Sequence, residues 1–320
     1  MQRVLTTGTL LGLLVATAAA FAITERLKQI KSPVYGTQVS AGTVSRPGHP
    51  VLISPVCGCP TSKAEVGIKL RRNGRVTVTI VNAAHDEVAT IASGFHMVAR
   101  RPKQFAWDGR TDDGAVVPDG VYHPWVHLPR QTLELVNKIT VDTKPPQVVS
   151  ATARKGGTPV LLAAPGRTIA IHYELSERAH AVVYLGSHKI TAGRATRQDD
   201  KIKWAGTLGG RRLPAGTYVL SVGAQDLAGN KTPAADRLQV TVELRYIQLS
   251  PERITARAGR PFKVHVETAA SHYGWRLGHR HGSRHGRSLK LRAPSTPGTY
   301  RLVVTEHGHS ATAALRVRAK

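Results

Sequence analysis

The sequence predicts an all-β chain, with three tandem β-sandwiches behind one N-terminal transmembrane helix. Three observations carry this reading. An uncharged apolar run lies near the N-terminus. Beyond residue 50, apolar and polar residues alternate with period two in one short run after another, with Gly/Pro turns between. A Pro-Gly-Tyr turn motif then returns at intervals of about one sandwich.

The apolar run is Val4 to Thr24, with Arg3 before it and Glu25, Arg26, Lys28 and Lys31 after it. At about 1.5 Å per residue, a helix of that length matches a bilayer core of about 30 Å. Residues 1–32 therefore read as a signal-anchor that meets the membrane through residues 4–24. The alternative is a secretory signal, because Ala20-Phe21-Ala22 has the small-x-small form of a cleavage site. A secreted chain would then begin near Ala22. Basic residues after the run argue for a cytoplasmic body. The very short N-terminus and the β-rich body argue for an exported one, and export is the favoured reading. Residues 33–50 are polar and Gly/Pro-bearing and read as a linker.

Composition narrows the class further. The chain has 320 residues, enough for two or three domains. Hydrophobic residues at 41% and charged residues at 20% exclude a mainly disordered chain and a polytopic membrane protein. Two cysteines exclude a disulfide-stapled miniprotein.

Alternation marks the strands. Val76, Val78 and Ile80 are one set, and Ile169, Ile171, Tyr173 and Leu175 another. Tyr218, Leu220, Val222 and Ala224 follow, then Leu238, Val240, Val242 and Leu244. Phe262, Val264 and Val266, then Tyr300, Leu302 and Val304, close the series. One-sided alternation of this kind belongs to antiparallel sandwiches. The repeat counts the modules. Val117-Pro118-Asp119-Gly120-Val121-Tyr122 returns as Leu213-Pro214-Ala215-Gly216-Thr217-Tyr218 and, one residue shorter, as Thr296-Pro297-Gly298-Thr299-Tyr300. Trp107-Asp108-Gly109 and Trp204-Ala205-Gly206 precede the first two copies. Each tyrosine is expected at a sandwich corner, bonding backbone through its hydroxyl, as in immunoglobulin-like folds. Trp107, Tyr122, Trp204, Tyr218 and Tyr300 are thus structural residues. The boundaries place immunoglobulin-like modules at 51–143, 144–246 and 247–320.

The stretch Val76–Tyr122 holds Trp107-Asp108-Gly109-Arg110-Thr111-Asp112-Asp113-Gly114 and then Pro118-Asp119-Gly120-Val121-Tyr122. It resembles the FlgD-type immunoglobulin-like domain, named from the flagellar hook-cap protein and widespread in bacterial envelope proteins. The resemblance covers about residues 51–143. The second module is similar to other bacterial immunoglobulin-like domains through Ala224-Gln225-Asp226-Leu227-Ala228-Gly229-Asn230. The resemblance implies fold and cell-envelope context, and carries no catalytic residue. A flagellar role is not expected, given the apolar run at the N-terminus.

Four features are candidate sites. Where family members often carry an Asn/Asp-rich loop, this chain has Cys57-Gly58-Cys59, read as a local disulfide, free or intermolecular thiols, or a metal or redox pair. Asp108, Asp112, Asp113 and Asp119 are a calcium candidate or simple turn residues. Residues 245–320 carry 15 Lys+Arg against 3 acids, with Arg276, Arg280, Arg284 and Arg287 packed closely together. These arginines are the candidate contacts for an anionic envelope polymer, or they only keep a hairpin tip solvated. His279, His281 and His285 between them are a metal candidate, with His307 and His309 repeating the i, i+2 spacing. Sparse aromatics, at 5%, disfavour nucleic acid.

No G-x-S-x-G, H-E-x-x-H or phosphate-binding glycine loop occurs. No enzyme and no cofactor are expected. The reading is a non-enzymatic envelope protein, a spacer or an interaction module for another envelope protein, with polyanion binding by the third module as the alternative.

Overall fold

The structure, a computed structural model, describes residues 15–17, 32–42, 51–153 and 157–319. The apolar run 4–24 lies outside the described residues apart from helical 15–17. Among the described residues no helix is long and apolar enough to cross a membrane. The chain divides into two compact units, residues 1–143 and 144–320.

The first unit holds β1 (Val34–Ala41), β2 (Val51–Ile53), β3 (Ala64–Leu70), β4 (Gly74–Val81) and β5 (Glu87–Met97). It continues with β6 (Lys103–Trp107), β7 (Gly120–Leu128), β8 (Gln131–Glu134) and β9 (Ile139–Val141). A three-stranded sheet, β1-β3-β6, faces a larger one, β2-β9-β7-β4-β5, with β8 added to β7. The alternation in β3 puts Val66, Ile68 and Leu70 inside with Val76, Val78 and Ile80 from β4. Each such side chain contributes about 1.5–3 kcal/mol when it leaves water.

Residues 33–50, read as a linker, contribute β1, which pairs antiparallel with β3. Val34, Val39 and Ala41 are core residues. The pairing shifts register between Tyr35 and Gln38, around Gly36 at φ 58°. That bulge breaks the period-two pattern by which the other strands are read.

The second unit holds two hydrophobic cores. The first is built by β10 (Val148–Thr152), β11 (Val160–Leu162), β12 (Ile169–Leu185), β13 (His188–Ala192) and β14 (Arg197–Trp204). The short β15 (Thr207–Leu208) and β16 (Arg211–Arg212), then β17 (Gly216–Gln225) and β18 (Leu238–Arg245), complete it. The long β12 serves both layers. Its first half pairs with β10 and β14, and its second half with β13 and β17.

The last core is built by β19 (Ile247–Ser250), β20 (Arg253–Arg257), β21 (Pro261–Thr268) and β22 (His272–Leu277). β23 (Arg280–His285), β24 (Ser288–Arg292), β25 (Gly298–Glu306) and β26 (His309–Arg318) follow. Sheet β19-β21-β24 packs against β20-β26-β25-β22-β23. All three sandwiches share one plan. In each, a short early strand runs parallel to the last strand: β2 with β9, β11 with β18, β20 with β26. The remaining ladders are antiparallel. The repeated tyrosines stand on β7, β17 and β25, the strand next to that last strand in each sandwich.

Gly109 and Gly206 of the two Trp-x-Gly triplets sit at φ 73° and 71°. A Cβ at Gly109 would overlap the ring of Pro55, and one at Gly206 would lie 2.8 Å from Leu244 Cδ1. Gly114, at φ 87°, has open space around it. Gly109→Ala is therefore expected to lose about 2–5 kcal/mol, from backbone strain plus overpacking. Gly114→Ala is expected to lose only about 1–2 kcal/mol, from the backbone alone. Urea unfolding followed by Trp107 fluorescence separates the two, and equal losses would refute the overlap argument.

Candidate functional site

The three tyrosines do one job. Tyr122 donates its hydroxyl to Pro118 O at 2.7 Å, Tyr218 to Pro214 O at 2.8 Å, and Tyr300 to Thr296 O at 2.9 Å. Each bond reaches four residues back across the turn that feeds the strand. The tryptophans finish the corner. Trp107 Nε1 donates to Arg110 O at 2.8 Å and Trp204 Nε1 to Thr207 O at 3.0 Å. Their rings meet Tyr122 at 5.2 Å and Tyr218 at 6.0 Å between centroids. Burial, and secondarily the charge of Asp119, push the Tyr122 phenol above its ordinary value, which keeps the donating proton in place. Tyr122 is buried, while Tyr218 and Tyr300 are half-buried.

Cys57 and Cys59 form a disulfide. Its loop is closed by Ser54 N donating to Thr61 O at 3.1 Å, with Gly58 at φ 58° between the sulfurs. The four aspartates accept from different partners and do not converge. Asp108 accepts from Arg110 N at 3.2 Å, Asp112 from Thr90 N at 2.8 Å, and Asp119 from Thr143 N at 2.8 Å. Asp113 accepts from the Thr111 hydroxyl, and this bond leads the causes that hold its carboxyl below the ordinary value. In the second module Asp226 accepts from Gly229 N at 2.6 Å and Asn230 N at 2.8 Å, so the Asp-Leu-Ala-Gly-Asn segment is a self-closed turn, buried apart from exposed Leu227.

The arginine- and histidine-rich hairpin is β22–β23. Register pairs Arg276 with His281 and His272 with His285 on its outer face. Arg280 pairs with buried Leu277, and Arg284 with buried Tyr273, on the other face. The pleat thus splits the four arginines. Arg280 Nη1 donates to Arg292 O at 2.8 Å, and Arg287 lies in the turn before β24. His279 occupies the hairpin turn rather than sharing a strand face with His281. Among the described residues no three His, Cys, Asp or Glu side chains are gathered as a metal would need. His307 and His309 also part company. His307 sits in a turn at φ 42°, while His309 stacks flat on Tyr246 at 3.9 Å and 3°.

That stack belongs to a junction that sequence reasoning missed. One residue, Tyr246, separates β18 from β19. Its hydroxyl donates to Leu213 O at 2.8 Å, behind it in the second module, and its ring meets His309 of the third. Arg245 grips Glu243 at 2.6 Å and Glu252 at 2.8 Å, and Arg167 reaches Glu267 at 2.8 Å. The carboxylates raise the Arg245 guanidinium still further above its ordinary value, the Glu243 hydrogen bond foremost. A cavity of about 430 Å³ is lined by Glu243, Arg245, Tyr246, Glu252 and His309, among others. The charge pattern gave no signal for the junction, because its ion pairs join residues up to 100 positions apart.

The first unit has a polar cluster that was also missed. On β7, His123 Nδ1 lies 2.5 Å from Glu134 Oε1, and His127 bonds Thr79 at 2.8 Å and Thr132 at 3.0 Å. Trp125 lies between them, flanked by His85 at 5.4 Å. Alternation along β7 was the available signal.

Strand order and the tyrosine corner define the class: a protein of tandem immunoglobulin-like β-sandwiches. No protein-family model matches the chain, and no curated protein matches it. Among solved structures it is similar to a three-immunoglobulin structure of titin domains, at 10% identity and TM-score 0.30, covering 91% of this chain and 99% of that one. It is similar to the Bacteroides ovatus mixed-linkage glucan utilization protein SGBP-B in complex with a mixed-linkage heptasaccharide, at 14% identity and TM-score 0.29, covering 85% and 67%. It is also similar to a teleost fish polymeric Ig receptor ectodomain, at 12% identity and TM-score 0.33, covering 53% and 99%.

Tyr122→Ala is expected to destabilise the first unit by about 3–5 kcal/mol, and Tyr122→Phe by about 0.5–1.5 kcal/mol. Tyr218→Ala should cost less than Tyr122→Ala because more of its ring is already wet. Calorimetric unfolding of the variants checks the order. Tyr273 gives the opposite case. It is 1% exposed, and among the described residues its hydroxyl has no hydrogen-bond partner. Burial raises its phenol pKa, with Arg284 opposing. Tyr273→Phe is expected to leave stability unchanged or raise it by about 1 kcal/mol. A clear loss in denaturant titration would mean that the hydroxyl is satisfied in solution.

Proposed function

We propose that this chain is a non-enzymatic envelope protein, exported and held at the membrane by residues 4–24, whose modules act as a stiff spacer that presents an interaction surface. The junction at Tyr246 carries this reading. A spacer needs its modules to keep their relative direction, and here one residue connects the second to the third. The aromatic stack and the Arg245 and Arg167 ion pairs oppose bending there. Resemblance to FlgD-type domains supports the envelope context. The Cys57–Cys59 disulfide supports an oxidising compartment, since cytosolic thiols are held reduced. Cleavage near Ala22 would make the same protein a secreted one.

Two measurements test it. Spin labels on Asp199→Cys and Lys290→Cys of the full chain are expected to give a single narrow distance distribution, broadened by Tyr246→Ala combined with Arg245→Ala. A distribution that is already broad, or one the double variant leaves unaltered, would sink the stiff junction. Fractionation with N-terminal sequencing is expected to find an unprocessed chain in the membrane. A soluble chain beginning at Ile23 would replace the anchored protein with the secreted one, and a cytosolic chain would end the envelope reading.

A further inference from the structure

The last module carries a second group of arginines, far apart in the sequence and brought together by strand pairing. On the outer face of sheet β20-β26-β25-β22-β23, Arg253 and Arg257 come from β20, and Arg316 and Arg318 from β26. Arg301 comes from β25 and Arg276 from β22. All six are exposed and alternate with buried core residues. Register fixes their positions. Arg257 lies beside Arg318. Ala314 lies between Arg253 and Arg301, and Arg316 between Thr255 and Thr299. The result is a staggered grid of guanidinium groups over a floor of small side chains. Arg316 and Arg318 are about 6.8 Å apart along β26, and Arg257 and Arg318 about 4.8 Å apart across the strand pair, with the other arginines farther off.

Among the described residues no acidic side chain pairs with an arginine of this face. The module has three carboxylates, Glu252, Glu267 and Glu306. Glu252 is held by Arg245 and Glu267 by Arg167, both at the junction, and Glu306 accepts from Thr268. The opposite sheet differs, with exposed Lys263 and Lys290 and half-buried Glu267 on its outer positions. Like charges side by side on a sheet destabilise it. An anionic partner removes that cost.

We propose that this sheet face binds a linear acidic polysaccharide bearing sulfate or phosphate esters. Guanidinium forks bind such oxyanions bidentately, and a flat grid suits an extended chain rather than one small ion. Thr255 and Thr299 stand between the arginines and can meet sugar hydroxyls. A depression of about 300 Å³ beside Arg276 and His281, over Gly274, gives the chain a foothold at one end. Nucleic acid fits less well. The module's aromatic rings Tyr273, Trp275, Tyr300 and Phe262 belong to or pack on its core, so no stacking platform faces outward. No exposed large apolar side chain of the described residues lies in this module, so it offers no wedge for a lipid surface.

This inference does not rest on the spacer reading, because a flexible chain would carry the same face. Its test uses the full chain, immobilised heparin as probe and a salt series. Arg301→Ser, Arg316→Ser and Arg318→Ser together are expected to weaken binding about tenfold or more, and to lower the log–log salt slope by about 2–3. Lys263→Ser, Lys290→Ser and Arg292→Ser remove the same charge from the other sheet, and Arg280→Ser, Arg284→Ser and Arg287→Ser remove it from the hairpin. Each control is expected to weaken binding less than about threefold, with a salt slope closer to that of the parent chain. A triple Arg→Lys change at 301, 316 and 318 keeps charge and fold while removing the forks. It is expected to lose more affinity than either control while keeping the parent slope, and it decides the matter if the serine triple unfolds. Equal losses in all triples, a greater loss in the hairpin triple, or no heparin binding by the parent chain would overturn the proposal. So would poly-dT displacing heparin at lower concentration than heparin displaces itself.

Discussion

Each sandwich is closed by a hydrogen bond that spans one turn. The tyrosine hydroxyl on β7, β17 or β25 ties its strand to a carbonyl four residues earlier. That turn leads the chain from the smaller sheet into the larger one, so the bond fixes where the two layers meet. In the first two modules the Trp-x-Gly triplet completes the same corner. The indole caps a nearby carbonyl, and a glycine at positive φ lets the backbone pass close to the opposite layer. Alternation then fills the space between the layers with Val, Ile and Leu. The third module keeps the tyrosine and lacks the tryptophan, with buried Leu291, the next-to-last residue of β24, near that position.

With the corners held, the remaining polar chemistry sorts by location. Aspartates go to turns, where they satisfy backbone N–H groups. Glu243, Glu252 and Glu267 go to the junction of the last two modules, where arginines meet them. The excess of arginine is left on a sheet face whose neighbours are threonine and alanine. A strongly basic chain thus gathers six arginines without acidic partners among the described residues on one surface of one module.

Local pattern made most of the fold legible. Strands with clean alternation, such as β4, β17 and β25, were readable at once, and so was the repeated turn. β1 was not, because the bulge at Gly36 puts Val34 and Val39 out of phase. Of the long β12 only Ile169 to Leu175 was readable, because Glu177 breaks the alternation before the strand passes to its second set of partners. The candidate site was less legible. Density along the chain drew attention to Arg276, Arg280, Arg284 and Arg287, yet a hairpin's pleat turns successive residues to opposite sides. Arg253 and Arg257 lie some sixty residues before Arg316 and Arg318, and only the parallel pairing of β20 with β26 makes them neighbours. The legible trace was Leu315-Arg316-Val317-Arg318, a strand alternating core side chains with arginine.

The parallel pairing has a mechanical side as well. In every module the chain enters near a short strand that runs alongside the last strand in the same direction. Tension applied at the two ends of a module pulls such a pair lengthwise in opposite senses. Its hydrogen bonds are then strained together in shear, rather than peeled one after another as at the open end of a hairpin. The pair in the third module is the longest, running from Arg253 with Ala314 to Arg257 with Arg318, so it spreads a pull over the most bonds. Those two strands also carry Arg253, Arg257, Arg316 and Arg318, so the proposed polymer contact would lie directly on the module's most shear-resistant seam.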